Sequence, residues 1–188
     1  MKSIKPIYIV ALVSVILLVV FIKINNPYRD YSTKKYWENS TLESVNRVPE
    51  EALKSGNKNG PVLMWAAMST SDTEVIKELV SRGAEINEAD EFFSGTPLTG
   101  AAGYSKYPEI LRELVALGAD INKKVNNDET ALMIAAQYNK NKGIIEELVA
   151  LGANISNKNK QGKTALDLAI YNNNTVAEQS LKALMHQS

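Results

Sequence analysis

The sequence predicts an all-α solenoid, built of stacked helix–turn–helix units joined by hairpin loops and preceded by a single N-terminal transmembrane helix. Three observations carry that prediction. "ELVALGADIN" at Glu113 and "ELVALGANIS" at Glu147 are nearly the same ten residues, 34 positions apart. Thr96, Thr130 and Thr164 keep the same interval of 34 and open the related phrases "TPLTGAAG", "TALMIAAQ" and "TALDLAIY". Ahead of them, Ile7 to Ile22 is a run of sixteen residues without a charge. A fixed period of this size marks an array of small units, because no single unit can bury its own apolar face.

The first helix of each unit starts at the Thr phrase, with "PVLMWAAM" from Pro61 in the same place. A threonine N-cap can accept a bond from an unpaired backbone N–H, and Pro97 stands in the first turn, where its missing donor costs nothing. The pairs Ala66-Ala67, Ala101-Ala102 and Ala135-Ala136 keep this helix thin, so that neighbours approach closely. The second helix carries a wider stripe: Val75, Ile76, Leu79 and Val80, then Ile110, Leu111, Leu114 and Val115, then Ile144, Ile145, Leu148 and Val149. Positions i, i+1, i+4 and i+5 share one face of a helix, and that face is predicted to be core. Gly83, Gly118 and Gly152 follow at the place where a left-handed residue ends a helix. The stretch from each Gly-Ala to the next Thr is made of turn formers, too short for a third helix.

The ends are predicted to differ from the middle. Ser40 followed by Glu43 has the spacing of a capping box, and Leu42, Val45 and Val48 give a short apolar stripe. "PEEALKSG" adds a second small helix, making a shortened first unit. The last helix sets Val176, Leu181, Leu184 and Met185 among Glu178, Gln179 and Lys182, as suits a terminal unit with one wet face.

As a helix, Ile7 to Ile22 is about 24 Å long, short of the ~30 Å hydrocarbon core but able to span it if Lys5 and Lys23 snorkel. The bulky stretch Val19 to Asn25 offers no small residues for a signal cleavage site, which favours an anchor that is retained over one that is removed. Basic residues flank both sides, so the positive-inside count leaves orientation open; the short tail ahead of the run favours a cytoplasmic N-terminus and a body on the extracytoplasmic (periplasmic) side. After the run, Tyr28, Tyr31, Tyr36 and Trp37 lie in a polar stretch with Pro27. Two placements are open for them: the headgroup layer, or, for Tyr36 and Trp37, the end of the folded body. The expected organisation is an anchor over 1–24, a juxtamembrane linker over 25–39 and a repeat domain over 40–188. The last comprises a capping half-repeat at 40–56 and units near 57–90, 91–124, 125–158 and 159–188.

Residues 1–40 carry six Lys/Arg against two acids, and residues 41–188 carry fifteen against nineteen, so the body is mildly acidic. That argues against a nucleic-acid binder, which needs a basic face. Without a cysteine there is no disulfide or thiolate metal site. The one histidine, His186, lies at the C-terminal end, and no glycine-rich phosphate loop or metal-ligand cluster is evident. No catalytic, cofactor-binding or metal-binding residue and no small-molecule substrate is expected; carboxylates such as Glu146 and Glu147 are read as solvated surface.

The phrase Thr-Pro-Leu-x-x-Ala-Ala at Thr96–Ala102 and Gly-Ala-Asp-Ile-Asn at Gly118–Asn122, recurring in order over about residues 57–185, resemble the ankyrin-repeat family. The interval from the Ala pair to the Gly is one residue longer than usual. In place of the usual His after Thr-Pro-Leu stand Met64, Thr99, Met133 and Asp167, removing a common tether. The resemblance implies a protein-binding surface made of hairpin tips and the exposed face of the first helices. Carried over by position, it offers Met68 and Ser69, Gly103 and Tyr104, Gln137 and Tyr138, and Tyr171 and Asn172, with Trp65 assigned to packing. The tips run from acidic to basic: "NEADEFFSG" displays Phe92 and Phe93, the next has Lys123 and Lys124, and the third has Lys158, Lys160 and Lys163. The adjacent phenylalanines are the leading single contact. The expected function is a membrane-tethered ankyrin-repeat protein that binds another protein without catalysis. The alternatives are an inhibitor or immunity-type regulator of a toxin or cell-envelope enzyme, and a periplasmic or secreted form left by signal cleavage.

Overall fold

The computed structural model describes residues 33–53, 61–89 and 95–186, which are all-helical with no strand among them. The run Ile7–Ile22 and the tip residues Phe92 and Phe93 lie outside the described residues. Within the described residues no helix is long and apolar enough to cross a membrane. The helices are α1 (Lys34–Trp37), α2 (Leu42–Asn46), α3 (Glu50–Leu53), α4 (Val62–Ser69), α5 (Thr73–Ser81), α6 (Pro97–Tyr104), α7 (Pro108–Ala116), α8 (Ala131–Tyr138), α9 (Lys142–Ala150), α10 (Ala165–Tyr171) and α11 (Thr175–Met185).

They form two layers. The inner layer is α1, α4, α6, α8 and α10, each packed on the next, and the outer layer is α2, α5, α7, α9 and α11. The alanine pairs make the inner layer possible: Ala66, Ala67, Ala101, Ala102, Ala135 and Ala136 are all fully buried between neighbouring helices. The outer helices bury Val75, Ile76 and Leu79, then Ile110, Leu111 and Leu114, then Ile144, Ile145 and Leu148, while Val80, Val115 and Val149 are half-buried. Each fully buried aliphatic side chain contributes about 1.5–3 kcal/mol, so this stripe is the principal driving force of the stack. Gly83, Gly118 and Gly152 end the outer helices at φ +99°, +100° and +96°, where a side chain is strained.

Threonine capping follows the sequence pattern with variation. Thr96 and Thr164 accept from the N–H of Thr99 and Asp167, both at 3.3 Å, whereas the Thr130 hydroxyl makes no such bond. The tether expected to be lost with the usual His is partly rebuilt. The Thr99 hydroxyl accepts from the Thr96 N–H at 2.7 Å, and the Asp167 carboxylate accepts from the Thr164 N–H at 2.8 Å.

The N-terminal cap begins before residue 40, within the stretch read from sequence as linker. Helix α1 packs on α4, and Trp37 is fully buried with Tyr36 edge-on at 4.9 Å. Of the two placements open for these rings, the body is the one they take. The capping box is also displaced by one residue: Thr41 is the N-cap of α2, and its N–H donates to the Ser44 hydroxyl at 3.2 Å. Ser40 is buried instead, its hydroxyl donating to the Trp37 carbonyl at 2.9 Å and lying 3.2 Å from the Thr70 hydroxyl. Arg82 completes the cap from the neighbouring repeat, its guanidinium donating to the carbonyls of Val45 and Val48.

Two ladders of asparagines stitch the repeats through backbone groups. Asn87 donates to the Gly118 carbonyl at 3.0 Å and accepts from the Asp120 N–H at 2.9 Å; Asn122 does the same one repeat on, with Gly152 at 3.2 Å and Asn154 at 2.9 Å. At the other end of the units, buried Asn139 donates to the carbonyls of Ala102 and Ser105 at 2.9 and 3.0 Å, and buried Asn174 to those of Ala136 and Asn139 at 3.0 and 2.7 Å. On the outer layer, Arg112 grips Glu147 with two bonds at 3.0 and 2.7 Å. Glu147 is therefore a link between repeats, whereas the sequence reading left it as plain solvated surface.

Asn139→Ala strands two buried carbonyls and should lower unfolding stability by about 2 kcal/mol in denaturant titration of the full chain in detergent. The Thr164 N–H and hydroxyl, with nearby Lys163 and Lys158, hold the Asp167 carboxyl below its ordinary pKa. A carboxylate depressed in the folded state stabilises above its unfolded pKa and loses that contribution as pH falls through the folded value. Stability should therefore fall more steeply below about pH 4 in the native chain than in Asp167→Asn, as read by unfolding midpoints across that range.

Candidate functional site

The inner helices line a concave groove of about 480 Å³ against the hairpin turns. Helical spacing explains its walls. On each inner helix, the residue just before the alanine pair lies one turn from a residue after it: Trp65 with Met68, Gly100 with Tyr104, and Ile134 with Tyr138. Gly100 makes the recess. A Cβ there would meet Met64 Cγ at 2.8 Å and Met68 Cγ at 3.2 Å, so its absence lets two methionines lie across the middle helix. Tyr104 and Tyr138 stand beside the recess with ring centroids 6.0 Å apart and planes only 14° from parallel.

The opposite wall comes from the hairpin between α7 and α8. Its turn at Asn126–Asp128 is tight, with Asn127 and Asp128 in the left-handed region at φ 60° and 59°. The Val125 N–H closes it onto the Glu129 carbonyl at 2.9 Å, which sets Glu129 at the hairpin base just ahead of Thr130. Glu129 is half-buried, and its Oε2 accepts from Gln137 Nε2 at 3.1 Å. Among the described residues it is the one charged side chain lining an otherwise apolar and neutral groove.

The other expected contact residues divide. Met68, Tyr104 and Tyr138 line the groove, and Gln137 supports it from behind Glu129. Ser69 does not face it: the side chain is in the position of the tyrosines but is only 6% exposed, and its hydroxyl has no hydrogen-bond partner. Gly103 is buried too, with Ile134 Cγ2 3.0 Å from where its Cβ would stand. Tyr171 is 80% exposed on the last inner helix and lies outside the groove lining, as does exposed Asn172, whose amide bonds the Leu168 carbonyl at 2.9 Å. At the tips, Lys123 donates to the Asn87 carbonyl at 3.0 Å and Lys124 to that of Lys158 at 3.3 Å, so both hold neighbouring hairpins together. Lys158, Lys160 and Lys163 are exposed on the last described hairpin.

Sequence reasoning missed Met64, Ile134 and Glu129 as site residues and assigned Trp65 to packing. The available signal was the i, i+3 and i, i+4 relation to Met68 and Tyr138, which places the residue before each alanine pair on the same helix face as those after it. Glu129 had no comparable signal, because a hairpin has no period. Among the described residues, no group of His, Cys, Asp and Glu is placed to hold a metal ion.

A family model described as ankyrin repeats, in three copies, matches residues 63–159 and 98–187. The chain belongs to the ankyrin-repeat family. No curated protein matches it significantly. Ankyrin repeats suggest a role in binding another protein, and proteins of this kind are typically interaction modules without catalysis. In that frame, the two-layered stack is the ankyrin scaffold and the groove with its hairpins is the concave side of it.

Gly100→Leu should fill the recess and displace Met64 and Met68. In the ¹⁵N-labelled chain the Trp65 indole resonance should move while that of buried Trp37 stays. The cost of overpacking should be about 1–3 kcal/mol in the same unfolding assay.

Proposed function

We propose that this chain is a membrane-tethered ankyrin module that binds another protein in its concave groove and performs no chemistry of its own. The observation that carries the reading is the groove itself: an apolar recess over Gly100 flanked by the half-exposed Tyr104 and Tyr138 rings. Tyrosine suits such a surface because a rigid ring buries much area for little lost side-chain entropy. The exposed lysines Lys158, Lys160 and Lys163 add a rim charge that steers an approaching partner more than it holds one. Phe92 and Phe93, which precede α6 in the sequence, are the second contact in this reading.

Tethering rests on the sequence, where Ile7–Ile22 offers sixteen uncharged residues between lysines. In this reading the body is extracytoplasmic. A reporter fused after Ser188 and active only outside the cytoplasm should be active, and carbonate washing should leave the chain with the membrane; release into the wash would remove the tether from the proposal.

For binding, the double change Tyr104→Ser and Tyr138→Ser should reduce partner recovery by the solubilised full chain at least tenfold, with an unfolding midpoint close to that of the native protein. Recovery that survives in a folded double variant would place the contact elsewhere.

A further inference from the structure

The geometry points to an arginine side chain of the partner as the anchor that the groove is built to receive. This rests on reading the groove as the partner-binding surface and adds the chemistry of what enters it. The argument begins with Glu129. Its carboxylate is half-buried at the edge of an apolar recess, yet none of the ion pairs among the described residues includes it. One oxygen accepts from Gln137 at 3.1 Å; the other takes part in no hydrogen bond among the described residues.

No described lysine forms an ion pair with it. Lys123 and Lys124 are committed to the carbonyls of Asn87 and Lys158. A half-buried carboxylate in a groove also lined by Val125, Ile134 and Tyr138 attracts an incoming cation more strongly than one in open water, because apolar walls lower the local screening.

The aromatic side of the groove decides which cation fits. Tyr104 and Tyr138, near-parallel at 6.0 Å and about half-exposed, offer π faces at the same recess. A guanidinium is planar, weakly hydrated and able to stack on such faces while its N–H groups fork onto a carboxylate. Its three-carbon stem lies against methionine, as Met64 and Met68 provide. A compact ammonium uses the charge but not the planar stacking. A carboxylate anchor would face Glu129 with like charge in a poorly screened site. Arginine therefore uses all three parts of the lining: ring faces, methionine floor and anionic edge.

The test uses short peptides and the full-length ¹⁵N-labelled chain in detergent. Acetyl-Leu-Arg-Leu-amide should shift the Trp65 indole resonance and leave that of Trp37 unmoved. It should bind at least tenfold more tightly at low salt than the citrulline peptide, which has the same shape without the charge. Glu129→Gln should erase that difference in a chain whose unfolding midpoint stays close to the native one. Equal binding of the two peptides to the native chain would overturn the arginine anchor and leave the groove reading standing. So would stronger binding of acetyl-Leu-Glu-Leu-amide, or no movement of Trp65 by any of them. Failure of the groove reading itself shows separately, as partner recovery unaffected by the paired tyrosine changes.

Discussion

Everything in this molecule depends on the burial of one helix pair against the next. A unit of two short helices has an apolar stripe on its outer helix and alanines on its inner one, and alone it would leave both in water. Leu79, Leu114 and Leu148 are fully buried only because the neighbouring repeats cover them. The stabilisation is therefore pairwise along the stack, and the ends must be closed by something different. At the N-terminal end, Trp37 and Val45 do this, with Arg82 tying the cap to the first full repeat through two backbone carbonyls.

Stacking brings polar backbone ends together as well as apolar faces, and an unpaired buried carbonyl costs free energy comparable to a lost hydrogen bond. Asparagine answers this at both edges of the repeat, since one amide can donate and accept across a junction. Asn87 and Asn122 serve the hairpin edge, and Asn139 and Asn174 serve the edge where the inner helices end. Among the described residues Ser156, which stands where Asn87 and Asn122 stand in earlier units, makes no such cross-repeat bond; its N–H donates to the Asn154 side chain at 2.9 Å. The hydroxyl of Ser69 is the one buried side-chain polar atom among the described residues that this economy leaves unpartnered.

The same packing that makes the scaffold makes the groove. Gly100 and Gly103 leave space that a larger residue would fill, so Met64, Met68 and Ile134 settle over the middle repeat, and the two tyrosines come into register one repeat apart. A regular array thus acquires one singular place, where the residue before the alanine pair is tryptophan on one helix, glycine on the next and isoleucine on the third. The carboxylate of Glu129 reaches it from the hairpin, and this combination of rings, thioethers and one negative charge distinguishes the groove from a generic concave face.

The sequence alone determined the repeat, its two helices, the buried stripe and the terminating glycines, because each follows from spacing along one chain: the 34-residue period, the i, i+4 face and the Gly at each helix end. It also singled out Tyr104 and Tyr138. Only tertiary structure decided that Trp37 and Tyr36 belong to the body, that Ser69 is covered, that Lys123 and Lys124 bind their neighbours, and that Glu129 and Trp65 line one groove. The physical reason is distance along the chain. A period reports which face a residue occupies, whereas the fate of a lysine or carboxylate on a turn depends on atoms about one repeat away, whose position no local pattern encodes.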